Sequence, residues 1–208
     1  MKPRPIARLS IRLEDVTPEV KRMLAVPVDI RLDRLHELIQ AAMGWTDSHL
    51  YEFRVRDIGW GIPDPDWNDN RLDAREATLW EVMEDTGAKT LRYLYDFGDS
   101  WYHVIKIERL FPPDGGDYFP LLLSASGRCP PEDIGGAFAY QEFLAAIANP
   151  KHPRHAEMKE WWSDDFDPDD VPIESLNAAV EALARAWNRK PRRTRPKPPA
   201  GPDRGTAG

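Results

Sequence analysis

Tyr93-Leu94-Tyr95-Asp96-Phe97-Gly98-Asp99-Ser100-Trp101-Tyr102-His103 is the stretch that decides the fold. Before it, Leu91, Tyr93 and Tyr95 fall on one side of an extended chain; after it, Trp101, His103, Ile105 and Ile107 do the same. Apolar residues at every second position mark a strand with one buried face. The link Phe97-Gly98-Asp99-Ser100 carries turn chemistry, since Gly98 tolerates positive φ and an Asp can accept hydrogen bonds from nearby backbone amides. The stretch therefore predicts a tight antiparallel hairpin with two carboxylates and a histidine beside its turn.

Working outward, Ile6 to Leu13 and Lys21 to Val28 read as two further strands, separated by a Pro18-containing turn. A helix follows, with Asp29 or Asp33 as its cap, the stripe Leu32, Leu35, Leu38, Ile39, Ala42 and Met43, and Gly44 at its end. His49 to Arg56 reads as a strand, and Gly59 to Asp73, rich in Gly, Pro, Asp and Asn, as an exposed loop. Thr78 with Glu81 three residues on forms a capping-box pattern for a short helix. Beyond the hairpin come a short apolar run over Tyr118–Leu123, a Gly- and Pro-rich loop over Gly127–Gly136, and helices over Ala137–Ala148 and His155–Trp162. A last helix carries Leu176, Val180, Leu183 and Trp187. This order, with its β-β-α-β opening, predicts an α+β fold: a mainly antiparallel, mixed sheet with helices on one face.

The chain has 208 residues, 41% of them hydrophobic and 30% charged, which fits one packed domain over 1–188 and a tail over 189–208. Its formal charge of −7 is unevenly spread. Seven of the 28 basic residues lie beyond Asn188, against Asp203 alone of the 35 acidic ones, so 1–188 carries −13. An acidic body is a poor surface for nucleic acid, whose binding is driven by phosphate neutralisation. The basic tail, with Arg189, Lys190, Arg192, Arg193, Arg195 and Lys197, is the candidate nucleic-acid contact and is expected to be disordered. Cys129 is the single cysteine, no charged-then-apolar signal segment opens the chain, and no apolar run reaches about 18 residues. A cytoplasmic location without a membrane partner is the expectation.

Asp96, Asp99 and His103, with His49 as a neighbour across the sheet, are the candidate catalytic or metal-binding set. Carboxylates and imidazole are the usual ligands of a hydrolytic divalent metal. The same two Asp residues also suit backbone amides of a turn, and His103 also suits a half-buried strand position. Glu132 and Asp133, ahead of a helix start, have both a site reading and a capping reading; Gly135-Gly136 permits close approach of another backbone. The acidic loops at Asp64–Asn68 and Asp165–Asp169 imitate calcium loops but lack the turn glycine and the closing glutamate. His36-Glu37-Leu38-Ile39-Gln40 begins like a zinc-protease helix, but Gln40 stands where the second histidine is needed. There is no phosphate-cradling or dinucleotide-binding glycine motif, so no nucleotide cofactor is expected.

Four segments carry a family resemblance: Leu35-His36-Glu37-Leu38-Ile39-Gln40-Ala41-Ala42-Met43-Gly44-Trp45 with Ser48-His49-Leu50; Tyr95 to Trp101 with His103; Cys129-Pro130-Pro131-Glu132-Asp133-Ile134-Gly135-Gly136; and His155-Ala156-Glu157-Met158 through Asp165-Phe166-Asp167-Pro168. In this order the chain resembles the plasmid open-reading-frame-three-like family of the Ri-plasmid type, also labelled insertion-element passenger proteins of a TnpR kind. The resemblance spans residues 5 to 185 and implies a mobile-element context, with no catalytic residues to carry over. No segment reads as a serine-recombinase catalytic arm.

The sequence favours a non-catalytic accessory module that binds protein or nucleic acid and needs no cofactor. The alternative is a metal-dependent hydrolase or nuclease-like enzyme built on Asp96, Asp99 and His103, with Glu132 or Asp133 contributing. The two part on convergence: an enzyme gathers these groups around one point, and a scaffold disperses them into separate turns. For the tail, deleting the residues after Lys190 is expected to leave the melting temperature nearly unchanged, because the segment has no apolar face with which to join a core. A large loss of melting temperature in the truncated chain would contradict that.

Overall fold

The hairpin forms as its alternation dictates and lies in the middle of the sheet. In this computed structural model, which describes residues 5–63, 70–113, 119–162 and 165–188, the strands are β1 (Ile6–Leu13), β2 (Lys21–Pro27), β3 (Tyr51–Val55), β4 (Ile58–Gly61), β5 (Leu72–Asp73), β6 (Thr90–Tyr95), β7 (Trp101–Phe111) and β8 (Leu121–Ser126). The helices are α1 (Leu32–Met43), α2 (Leu79–Thr86), α3 (Gly136–Ala148), α4 (His155–Trp161) and α5 (Ile173–Trp187). The strands form one sheet in the order β5-β4-β3-β6-β7-β1-β2-β8, antiparallel throughout except for the short β4–β5 pair. This is an α+β architecture, as the sequence predicts.

Register explains the core. Tyr93 stands opposite His103 and Tyr95 opposite Trp101, with Leu91 opposite Ile105, and all six side chains point to the covered face. Trp101 is 1% exposed, Ile105 0% and Ile107 5%, which places them on the core face as their spacing requires. The intervening Arg92, Tyr102, Lys106 and Glu108 face solvent. The stripe of α1 joins the same core as β1, β6 and β7, and α5 packs on α1 and β8. Side chains of this size each stabilise the fold by about 1.5–3 kcal/mol when fully buried.

Local signals succeed where the chemistry is short-range. The Thr78 hydroxyl accepts from the Glu81 amide at 3.2 Å, and the Glu81 carboxylate accepts from the Thr78 amide at 2.8 Å, completing the capping box. Gly44 ends α1 with φ +88°. Neither Asp29 nor Asp33 caps α1, however. Arg31 stands at the cap without a side-chain capping bond, and Asp33 lies in the first turn, paired with Arg31 at 2.7 Å. The span read as a loop from Gly59 supplies β4 and, at its far end, β5; its residues 64–69 lie outside the described part. β3 begins only at Tyr51, so His49 belongs to the loop before the strand and is free of its ladder.

Arg22 is the unexpected core residue. Only 1% exposed, it donates from Nε to the Ala42 carbonyl at 2.7 Å, and from Nη1 to the carbonyls of Lys21, Ser126 and Gly127 at 2.9, 2.8 and 3.0 Å. It thereby ties the end of α1 to the end of β8, where the negative end of the helix dipole offsets its charge.

Thr78→Ala is expected to cost about 1 kcal/mol in urea unfolding, because it removes the oxygen that satisfies the Glu81 amide. An unchanged midpoint would show that α2 does not depend on its cap.

Candidate functional site

Three segments far apart in sequence meet at the turn end of β6 and β7: the loop from Trp45 to Leu50, the turn from Asp96 to Ser100, and the loop from Cys129 to Gly136. Glu132 is the hub. Its Oε1 accepts from the Tyr95 hydroxyl at 2.7 Å, and its Oε2 from the Thr46 amide and hydroxyl at 3.0 and 2.6 Å. The Trp45 indole donates to the Pro130 carbonyl at 2.9 Å. Glu132 is thus committed to holding two loops together, not to capping α3.

The two turn carboxylates have different duties. Asp96 Oδ1 accepts from the amides of Gly98 and Asp99 at 2.8 and 3.3 Å, as an Asx turn requires. Its Oδ2 faces His49 Nε2 at 3.7 Å. Asp99 turns to the other loop and accepts from the Gly135 amide at 2.9 Å. Next to it Gly136, at φ +82°, lies so close that a Cβ would stand 2.4 Å from the Asp99 carbonyl oxygen. The expected close backbone approach occurs here.

Asp133, at the crest of the same loop, brings its Oδ1 to 3.1 Å from His49 Nε2. His49, Asp96 and Asp133 therefore place one nitrogen and two oxygens within 4.8 Å of one another. His49 Nε2 is buried and makes no aligned hydrogen bond despite these two carboxylates. Asp96 and Asp133 both hold positive φ, +54° and +60°, a conformation that Asp tolerates better than most residues and that collects at functional sites.

Asp99 and His103 are not part of that group. His103 is fully buried, its Nδ1 donating to the carbonyls of Trp101 at 3.0 Å and Tyr93 at 3.3 Å, and its ring meets Trp45 edge-on. The reason is strand parity: His103 shares the inward face with Trp101 and Ile105, whereas the turn carboxylates lie beyond the strand ends. The set Asp96, Asp99 and His103 is therefore divided three ways, among a candidate centre, a loop clamp and the core. Arg189, Lys190, Arg192, Arg193, Arg195 and Lys197 lie outside the described residues.

A second polar cluster was not visible as such in the sequence. His36 Nε2 meets Asp47 Oδ1 at 2.5 Å, His36 Nδ1 meets the Tyr93 hydroxyl at 2.7 Å, and Gln40 Nε2 donates to that hydroxyl at 3.0 Å. Gln40 Oε1 accepts from the Asp47 amide at 3.2 Å and closes the ring. Burial holds His36 below its ordinary pKa against the pull of Asp47, so the neutral Nε2–H tautomer fits. His36 and Gln40, four apart on one helix face, were the available signal. The cluster borders a cleft of about 450 Å³ lined by Asp33, Glu37, Asp47, His49, Tyr51 and Arg75. Burial also pushes the Cys129 thiol up to about 12, which leaves it protonated and unreactive.

The sequence profile of plasmid pRiA4b ORF-3-like proteins matches residues 5–175. The chain belongs to this family. All three segments that build the site lie inside that match. A protein of Sinorhizobium fredii (strain NBRC 101917 / NGR234), designated uncharacterized protein y4hQ, is 55% identical over 189 residues, covering 90% of this chain and 97% of its own. The crystal structure of MM3350, a protein of unknown function from Methanosarcina mazei Go1, is similar at a TM-score of 0.74 and 28% identity, covering 82% of this chain and 96% of that one. Among the described residues no helix is long and apolar enough to cross a membrane.

Burial drives the His103 pKa down to about 4 from 6.5. As pH falls below about 6.5 the unfolded chain takes up this proton first, so stability present in full above 6.5 is lost between 6.5 and about 4, on the order of 3 kcal/mol. His36, also lowered, adds in the same direction. Urea unfolding at pH 7 and pH 5 should therefore give a lower midpoint at pH 5, and His103→Leu should reduce the difference. Equal midpoints for the wild type at the two pH values would refute it.

Proposed function

We propose that this protein binds a divalent metal ion between His49 Nε2, Asp96 Oδ2 and Asp133 Oδ1, and that its function is metal-dependent. The observation that carries the reading is His49 Nε2, buried between two carboxylates with no aligned hydrogen bond. An ion about 2.0–2.2 Å from nitrogen and oxygen ligands keeps those ligands roughly 3–3.5 Å apart. The separation of 3.1 Å falls within that spacing and that of 3.7 Å lies just beyond it. A donor set of one imidazole and two carboxylates, without thiolate, suits Mn²⁺, Fe²⁺ or Zn²⁺.

Three protein ligands leave coordination positions for water or substrate, the arrangement of a catalytic rather than a structural centre. Asp133, whose side chain is 72% exposed, puts those positions on the solvent side. The surroundings are also preorganised. Asp96 is oriented by two amides of its own turn, and the loop carrying Asp133 is pinned on either side by Glu132 and Asp99. Ligands held by outer hydrogen bonds are what a tuned metal site requires. This reading draws on the metal-dependent alternative and narrows its ligand set: Asp99, His103 and Glu132 leave it, and Asp96, His49 and Asp133 remain.

Mn²⁺ or Zn²⁺ at about 100 times the dissociation constant is expected to stabilise the wild type by about 2.7 kcal/mol through mass action. His49→Ala and Asp133→Asn should abolish that gain. Melting curves with ion and with chelator check this; identical wild-type curves would remove the metal reading.

A further inference from the structure

We infer that the open side of this metal centre accepts a neutral acyl compound, an ester with an apolar acyl chain, and not a phosphoester. The inference rests on the metal reading above and adds the class of substrate.

Charge disfavours the anion. The segments that build the centre carry Asp96, Asp99, Glu132 and Asp133. Arg71, over the Phe97 ring at 5.2 Å, is one cation at this rim; Arg75, which lines the cleft beside His49, is paired with Asp73 at 2.6 Å. With a divalent ion in place and Arg71 counted, four carboxylates still leave the site with one net negative charge. Residues 1–188 around it carry −13. A phosphodiester would approach against this field, whereas a neutral carbonyl would not.

Shape and polarity favour an apolar chain. Two of the three ligand residues are followed directly by large apolar side chains left in solvent: Leu50, 51% exposed, after His49, and Phe97, 41% exposed, after Asp96. The Asp96 amide donates to the Leu50 carbonyl at 2.9 Å, so these two side chains are carried on adjoining backbone. Leu50 and Ile62, both about half exposed, line the cleft beside His49. Exposed apolar groups bordering a polar centre mark a binding surface.

The chemistry balances with water alone. An ion held by His49, Asp96 and Asp133 would supply a water of lowered pKa and a positive charge for the acyl oxygen. The water oxygen would form a bond to the acyl carbon, the bond from that carbon to the leaving oxygen would break, and the proton given up by the water would end on the leaving oxygen. One ester and one water yield one acid and one alcohol.

The test uses the full chain loaded with Mn²⁺ or Zn²⁺, after calorimetry has fixed the ion's affinity. p-Nitrophenyl butyrate should be hydrolysed with a kcat/KM about tenfold above that of p-nitrophenyl acetate, the discrimination that extra methylenes give in an apolar site. Bis(p-nitrophenyl) phosphate should not be cleaved above the rate of the free ion. Leu50→Ser and Phe97→Ser should bring butyrate down to the acetate value while the ion's affinity stays unchanged, and His49→Ala should abolish turnover. Phosphodiester cleavage, equal rates on both esters, or no ester turnover by protein that does bind the ion would overturn the inference and leave the metal reading standing. Failure to bind the ion would overturn the metal reading itself.

Discussion

The candidate centre depends on the contact of two irregular backbone segments, Gly136 against the carbonyl of Asp99. No regular pairing joins the turn of β6 and β7 to the loop that follows β8. They are held by this contact, by the bond from the Gly135 amide to Asp99 and by the Glu132 clamp. Any side chain at position 136 would separate them and move Asp133 away from His49. Arg22 acts from the other end of the same loop, gripping the Ser126 and Gly127 carbonyls where the chain leaves β8. A buried arginine, a clamping glutamate and a glycine thus fix the loop at its start, middle and end, and leave Asp133 at its crest.

What the sequence makes legible follows from range. The hairpin, the capping box at Thr78 and the stop at Gly44 are decided by residues within a few positions of one another, and each forms as read. Where two signals compete locally, the reading goes astray. The Asp residues beside α1 suggest a cap, but Asp33 falls two positions inside the helix and pairs with Arg31 instead. β4 is hidden because Ile58–Gly61 includes two glycines, which weaken the strand pattern.

The site is less legible for the same reason. That Asp96, Asp99 and His103 lie near one turn is a local fact; Asp96 is then set by the amides of its own turn, Asp99 by the Gly135 amide from a distant loop, and His103 by strand parity. The sequence marks His49 as a neighbour of the turn, but only the arrival of Asp133 from a distant loop sets a second carboxylate beside Asp96 at its ring nitrogen. Glu132 and Asp133 are adjacent in sequence and do unlike work, one half-buried in a clamp and the other open to solvent. Composition cannot separate them, because alternation of inward and outward facing in a loop has no fixed period.

The strand order has a consequence for how the chain is made. β1, which precedes the other described elements in the chain, sits between β2 and β7, so its second edge stays unpaired until residue 111 has been synthesised. At roughly 5–20 residues per second the wait is on the order of 5–20 s. During it the alternating apolar face of Ile6–Leu13 is open to wrong pairing, a hazard typical of sheets with long-range closure. Arg8 and Arg12, on the opposite face of this strand, are placed to oppose that association while the nascent chain waits. Asp133, with the Glu132 and Gly136 that place its loop, comes later still, so the centre is complete only after all eight strands beneath it have been synthesised.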